Sequence, residues 1–185
     1  MPVLYRYDLV EVDLDPTLQL EFGPADDLMA EIGEYLLIET DERFESETDP
    51  DGQPWEPLSP ASLLSGFRKR SRRPAFRKRR GPDGERIPTA AFTRYAANKK
   101  ILQELGTRGG LRGTVAYEES AHSVRIGSNK VYAAAQHFGL GERSSLATRR
   151  SFGALPARRY VGVSSEGRSV IADMIRRWTA ERASE

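Results

Sequence analysis

The 185-residue chain contains no cysteine, only two histidines and no long apolar run. Without cysteine there are no disulfides and no thiolate metal sites, which excludes a stapled extracellular scaffold and fits a reducing compartment. The two histidines, His122 and His137, are separated by a predicted hairpin, with no further ligand at metal spacing. Neither a zinc site nor an acid–base constellation is therefore expected, and neither is a cofactor or an enzyme. His122 reads as an exposed turn residue, and His137, in "AAAQHFG", as a buried one with a satisfied hydrogen bond. The N-terminal MPVLYRYDLVEVDLD lacks a basic region followed by an apolar run. No stretch approaches the roughly 18 apolar residues of a membrane span, so the chain reads as soluble and unprocessed, with no membrane partner.

Overall charge bias is lacking too, since 28 Lys and Arg face 27 Asp and Glu. The distribution is uneven. Residues 1–56 carry 2 basic and 17 acidic side chains, residues 57–100 carry 13 and 2, and residues 101–185 carry 13 and 8. Such polarity within one chain suits head-to-tail association of copies, and equally an acidic partner.

Val3, Tyr5, Tyr7 and Leu9 alternate, then Val10, Val12 and Leu14 alternate in the opposite phase, which predicts one or two strands with a bulge, ended by Pro16. Leu28, Ile32, Tyr35, Leu36 and Ile38 then recur at helical spacing, predicting an amphipathic helix over roughly 24–46. "ETDPDGQPWEPLSP" is a turn-rich crossing with Trp55 in its middle; Ser59 caps and Pro60 opens a helix to about Arg70. Residues 89–105 regain helical propensity, and "RGGLRGTVAYEES" to "AHSVRIGS" reads as a hairpin. "KVYAAAQHFG" reads as a short helix ended by Gly139, residues 139–154 as a loop, and Val170, Ile171, Met174, Ile175 and Trp178 mark a last amphipathic helix. The expected fold is α+β: a small antiparallel sheet packed with amphipathic helices, plus an extended basic arm. Residues 1–22 form an N-terminal strand segment, 23–64 and 89–185 a single domain, and 65–88 an arm inserted in it.

That arm, "SGFRKRSRRPAFRKRRGP", holds Arg68, Lys69, Arg70, Arg72, Arg73, Arg77, Lys78, Arg79 and Arg80 without one acidic residue among them. With only Phe67, Phe76 and Ile87 as apolar content, it is expected to bury no core of its own. It reads either as a solvated tail or as a segment ordered against phosphate or an acidic protein groove. Phe67 and Phe76 could stack on bases or anchor in a groove, and no sequence-specific recognition pattern surrounds them. A calcium loop on Asp49, Asp51 and Glu56 fails on spacing, because prolines occupy the region. The glycines of "GTRGGLRG" lack the Lys-Ser or Lys-Thr of a phosphate loop.

Three fragments in order, "FESETDPDGQPWEPLSPASL" at 44–63, "ILQELGTRGGLRGTVAYEESAHSVRIGSNKVYAAAQHFG" at 101–139 and "LPARRYVGVSSEGRSVIADMI" at 155–175, resemble the phage virion morphogenesis family, the Mu-type and P2-type tail completion proteins. The likeness runs over roughly residues 26–178. The chain departs from the family pattern in the longer glycine stretch 106–110 and in its N-terminal strand unit. The resemblance implies a structural virion protein of the tail or neck, assembled in the host cytoplasm. It would form a ring with other copies of itself, a hexamer by family analogy, that completes the head-proximal end of the tail and joins it to the head. Its partners would be the tail tube or tail terminator and head–tail connector proteins, with DNA in the lumen left open. The alternative is a nucleic-acid-binding module using residues 68–80. At the matched positions Trp55, Tyr132, Phe138 and Tyr160 are expected to pack, with His137, Gly139 and Pro156 completing the structural motif. Arg158 and Arg159 are expected at an interface, because a guanidinium fork grips carboxylates. Glu42, Glu45 and Glu47 are the expected acidic counterparts of the basic arm.

Overall fold

The computed structural model describes residues 7–102, 110–141 and 155–184. They form two compact units, Met1–Glu56 with Leu102–Glu185, and Pro57–Ile101.

In the larger unit, strand β1 (Tyr7–Asp13) pairs antiparallel with β3 (Ser123–Ser128), which also pairs with β2 (Val115–Glu119), giving the order β1-β3-β2. The register of β1 shifts between Asp8 and Val10, the bulge expected from the phase change in its alternation. Pro16 ends the strand, as expected, but it also opens a helix, α1 (Pro16–Phe22). Asp15 caps it by accepting from the Thr17 amide at 2.8 Å, and a proline in the first turn gives up no hydrogen bond.

Helix α2 (Asp26–Ser46) starts with two acidic residues at its positive end and lies on β2 and β3. Leu28, Met29, Ile32 and Leu36 are buried on its inner face, and Val124 and Ile126 are buried in the sheet. A Cβ at Gly33 would overlap the Tyr117 ring, so glycine here admits an aromatic from the sheet onto the helix. After β3 come α5 (Ala133–Phe138) and α6 (Ser165–Arg182), with Ile171 and Trp178 of α6 buried. The smaller unit contains α3 (Pro60–Arg70) and α4 (Ala90–Asn98). The fold is α+β, with six α-helices and one three-stranded antiparallel sheet among the described residues.

Ser59 and Pro60 cap and open α3 where the sequence expects it. Helix α4 is shorter than the expected 89–105, closing at Asn98 within the described part; residues 103–105 and the glycine stretch at 106–109 lie outside the described residues, as does 142–154 of the expected loop. No helix of the described residues is long and apolar enough to cross a membrane.

The basic segment is folded, unlike the coreless extended arm expected of it. Phe67 is buried and packs edge-on against Phe92 and Tyr95, with ring centroids 5.3 and 5.4 Å apart, while Phe76 lies 5.6 Å from Phe92. Segment 75–89 doubles back on itself: the Arg77 amide donates to Ile87 O and the Thr89 amide to Ala75 O, each at 2.8 Å. Gly84, at φ 76°, makes the reversal. Thr89 then caps α4 by accepting from the Phe92 amide. Two sparse apolar stretches, neither able to form a core alone, share one small aromatic cluster.

Candidate assembly surface

A hub of aromatic rings in the larger unit fixes the segments that carry the family-like motifs. Phe44, at the end of α2, packs on Trp55 at 5.6 Å and on Tyr160 at 5.2 Å, and His137 stands edge-on to Tyr160 at 5.0 Å. Trp55 Nε1 donates to Arg159 O at 3.2 Å, and Tyr160 OH donates to Ala133 O at 3.1 Å. The turn before Trp55 is self-sufficient: the Asp49 carboxylate accepts from the Asp51 and Gln53 amides at 2.9 and 2.8 Å, and Gly52 sits at φ 78°. Gly139, at φ 76°, ends α5 against the next segment, where a Cβ would meet Leu155 O and the Ala157 amide. Pro156 follows the Leu140–Leu155 bridge that closes this crossing.

Trp55 and Tyr160 are core residues, as expected, with 5% and 0% of their surface exposed. Tyr132 and Phe138 are not: 42% and 64% of their surface is exposed. On so short a helix the inward positions go to Ala133 and His137, which turns their neighbours outward. His137 is buried as expected, but its Nδ1 has no hydrogen-bond partner among the described residues, and burial lowers its pKa to about 4. His122 is half-buried rather than exposed, with Nδ1 likewise enclosed and without a partner among the described residues.

The expected interface pair divides. Arg158 is only 4% exposed, and its Nε and Nη2 donate to Glu56 O at 3.1 and 2.9 Å, so it ties two chain segments together inside the unit. Burial pulls its pKa below the ordinary arginine range. Arg159 is exposed and pairs with Asp51 at 2.9 Å. The acidic trio divides as well. Glu42 is exposed, Glu45 is paired with Arg112, and Glu47 caps α2 in the left-handed conformation at φ 57°.

A network the sequence does not announce centres on Glu39, which pairs with Arg43 and accepts from Tyr35 OH at 2.7 Å and Ser164 Oγ at 2.9 Å. Buried Arg43 also donates to Gly162 O at 2.8 Å. Desolvation, together with the bond to Glu39, pushes the Tyr35 pKa up to about 12. On the outer side of α2, Arg112 grips Asp41 with two nitrogens at 2.5 and 2.7 Å, which holds that carboxyl below its usual range, and Arg177 holds Glu31. Exposed Glu34, Ile38 and Glu42 lie between these clamps in sequence, and Ile38 keeps 60% of its surface exposed.

In the smaller unit all nine cations from Arg68 to Arg80 are exposed, and none forms a salt bridge among the described residues. Arg80 donates to Gly84 O at 2.9 Å. Arg68, Lys69 and Arg70 occupy the last turn of α3, where the helix dipole favours positive charge. One face of α3, carrying Ala61, Leu64, Ser65, Arg68 and Lys69, is a shallow and largely open groove. The buried Phe67 is unavailable for stacking on bases, whereas Phe76 is only half-buried.

No match was found among curated proteins or solved structures. The sequence pattern of the phage virion morphogenesis family matches residues 10–75 and 68–180, two stretches that meet inside the basic segment. Most of the described core and both units fall within that match, and the chain belongs to the phage virion morphogenesis family.

Proposed function

We propose that the protein completes the head-proximal end of a phage tail and joins it to the head, as one copy in a homo-oligomeric ring. Family membership carries the coarser part of this reading, a structural role in virion assembly. The observation that supports the finer part is the division of charge between the two units. The larger unit holds 15 basic and 25 acidic residues, and the smaller one, residues 57–101, holds 13 and 2. A ring needs two different complementary faces on each copy, and oppositely charged units on one chain supply them. A hexamer, and contacts with tail tube, terminator or connector proteins, belong to this reading by family analogy.

The test is to inactivate the gene in the phage and image the lysate. Filled heads and separate tails, with labelled protein restoring joined particles and decorating the tail's head-proximal end, is the expected result. Normal joined particles without the protein would contradict it.

A second reading, a nucleic-acid-binding module on residues 68–80, draws on the nine exposed cations with no salt-bridge partner among the described residues. It predicts DNA binding that weakens steeply with salt and is indifferent to sequence.

A further inference from the structure

We infer that the α2 stripe Glu34–Ile38–Glu42 of one copy docks in the α3 groove of the next, with Ile38 as the apolar knob and Arg68 and Lys69 as the charge partners. The inference rests on the ring reading above and names the two faces that would meet.

Residues four apart on a helix share one side, so Glu34, Ile38 and Glu42 form a single line. At 1.5 Å of rise per residue the two carboxylates stand about 12 Å apart along the axis. Neighbouring acids on α2 are already held within the subunit, Asp41 and Glu45 by Arg112 and Glu31 by Arg177. Glu34 and Glu42 have no salt bridge among the described residues, and Ile38 between them is 60% exposed. An exposed β-branched hydrophobe flanked by free carboxylates suits a protein surface rather than a polyanion. The α3 groove is its complement: Ala61 and Leu64 contribute apolar surface, Ser65 lies between, and Arg68 and Lys69 stand one turn on. A phosphate backbone would use the cations and leave the apolar floor empty, whereas a second copy fills both. Because each chain carries both faces, the contact is heterologous and can repeat around a ring.

The absence of cysteine allows a direct trap. Two separate proteins, Ile38→Cys and Ser65→Cys, are mixed in purified form and gently oxidised at low salt. Both positions are at the surface, so neither change disturbs a core. The 38–65 mixed disulfide should exceed either same-site dimer by about tenfold, because docking raises the local concentration of that pair alone. Adding Arg68→Glu and Lys69→Glu to the Ser65→Cys protein should remove the excess. Glu34→Lys and Glu42→Lys on the other protein should restore it, as charge swaps do at a true contact. Equal amounts of mixed and same-site products would overturn the inference. So would reversal without effect, or binding of a short DNA duplex lost on charge reversal with no mixed disulfide formed. If the mixed disulfide fails while labelled protein still decorates tail ends, the ring is built through other faces and the proposed function stands. If it forms but tail ends stay bare, the contact stands without that function.

Discussion

In the larger unit Arg43, Arg112, Arg125, Arg159, Arg176, Arg177 and Arg182 each hold a carboxylate and Arg158 holds a carbonyl, whereas in the smaller unit nine cations within thirteen residues form no salt bridge among the described residues. The cores differ in the same direction. The larger unit closes a helix on a sheet and adds an aromatic hub, while the smaller unit has a cluster of four rings under a strongly basic surface. The lesson is that guanidinium groups are structural where a partner is supplied by the same unit, and stay solvated where it is not. An unpaired like-charged surface also repels itself, so the smaller unit carries a cost that a partner would relieve.

The largest effect expected from breaking this contrast is in the hub. Tyr160→Ala removes a fully buried ring together with its bond to Ala133 O and should cost about 3–5 kcal/mol in urea unfolding. Phe67→Ala should cost a similar amount, but only in the smaller unit. Both tryptophans, Trp55 and Trp178, lie in the larger unit, so their fluorescence transition should stay put while proteolysis at the basic segment accelerates. A shifted tryptophan transition would mean that the two units unfold together.

His137 comes next. Its folded pKa of about 4 lies below the ordinary 6.5, so between those values the unfolded chain binds more protons. The protonation-linked cost of burying it is therefore absent above about pH 6.5, and stability is lost as pH falls through that window, by up to about 3 kcal/mol below pH 4. His137→Gln should flatten this part of the stability profile, measured by unfolding at a series of pH values. An unchanged profile would show that His137 is not the group responsible.

Sequence reading caught features written into neighbouring residues. The phase change of the β1 alternation became a register shift, and Ser59-Pro60 became the cap and first turn of α3. It missed features that depend on distant partners. Phe67 meets Phe92 and Tyr95 only when 75–89 doubles back, so the basic segment looked coreless. Arg158 looked like an interface residue because its acceptor is the backbone carbonyl of Glu56, an atom that every residue has. Asp15-Pro16 was legible as a cap but was read as a strand end, since α1 is only seven residues long. The Glu34–Ile38–Glu42 stripe could have been found from its spacing. Its lack of salt-bridge partners could not, because that depends on where Arg112 and Arg177 fold.

A smaller effect separates the two kinds of arginine directly. Arg158→Ala removes a buried side chain together with its two bonds to Glu56 O and should cost about 1–3 kcal/mol, whereas Arg79→Ala should stay within about 0.5 kcal/mol of the wild type. Thermal unfolding of the two variants side by side measures the difference. Arg112→Ala should also be small, since its pairs with Asp41 and Glu45 are exposed enough to contribute under about 1 kcal/mol, a difference that should fade as salt is raised.

The most direct test of the central claim, that the unpaired basic unit serves assembly, is charge reversal within the phage itself. Changing Arg72, Arg73, Arg79 and Arg80 to Glu touches only exposed side chains, so the purified protein should remain folded. Electron microscopy of the resulting lysate should reveal heads and tails that fail to join. Joined particles in normal number, defective only in retaining or passing DNA, would contradict the account and give the basic unit to nucleic acid.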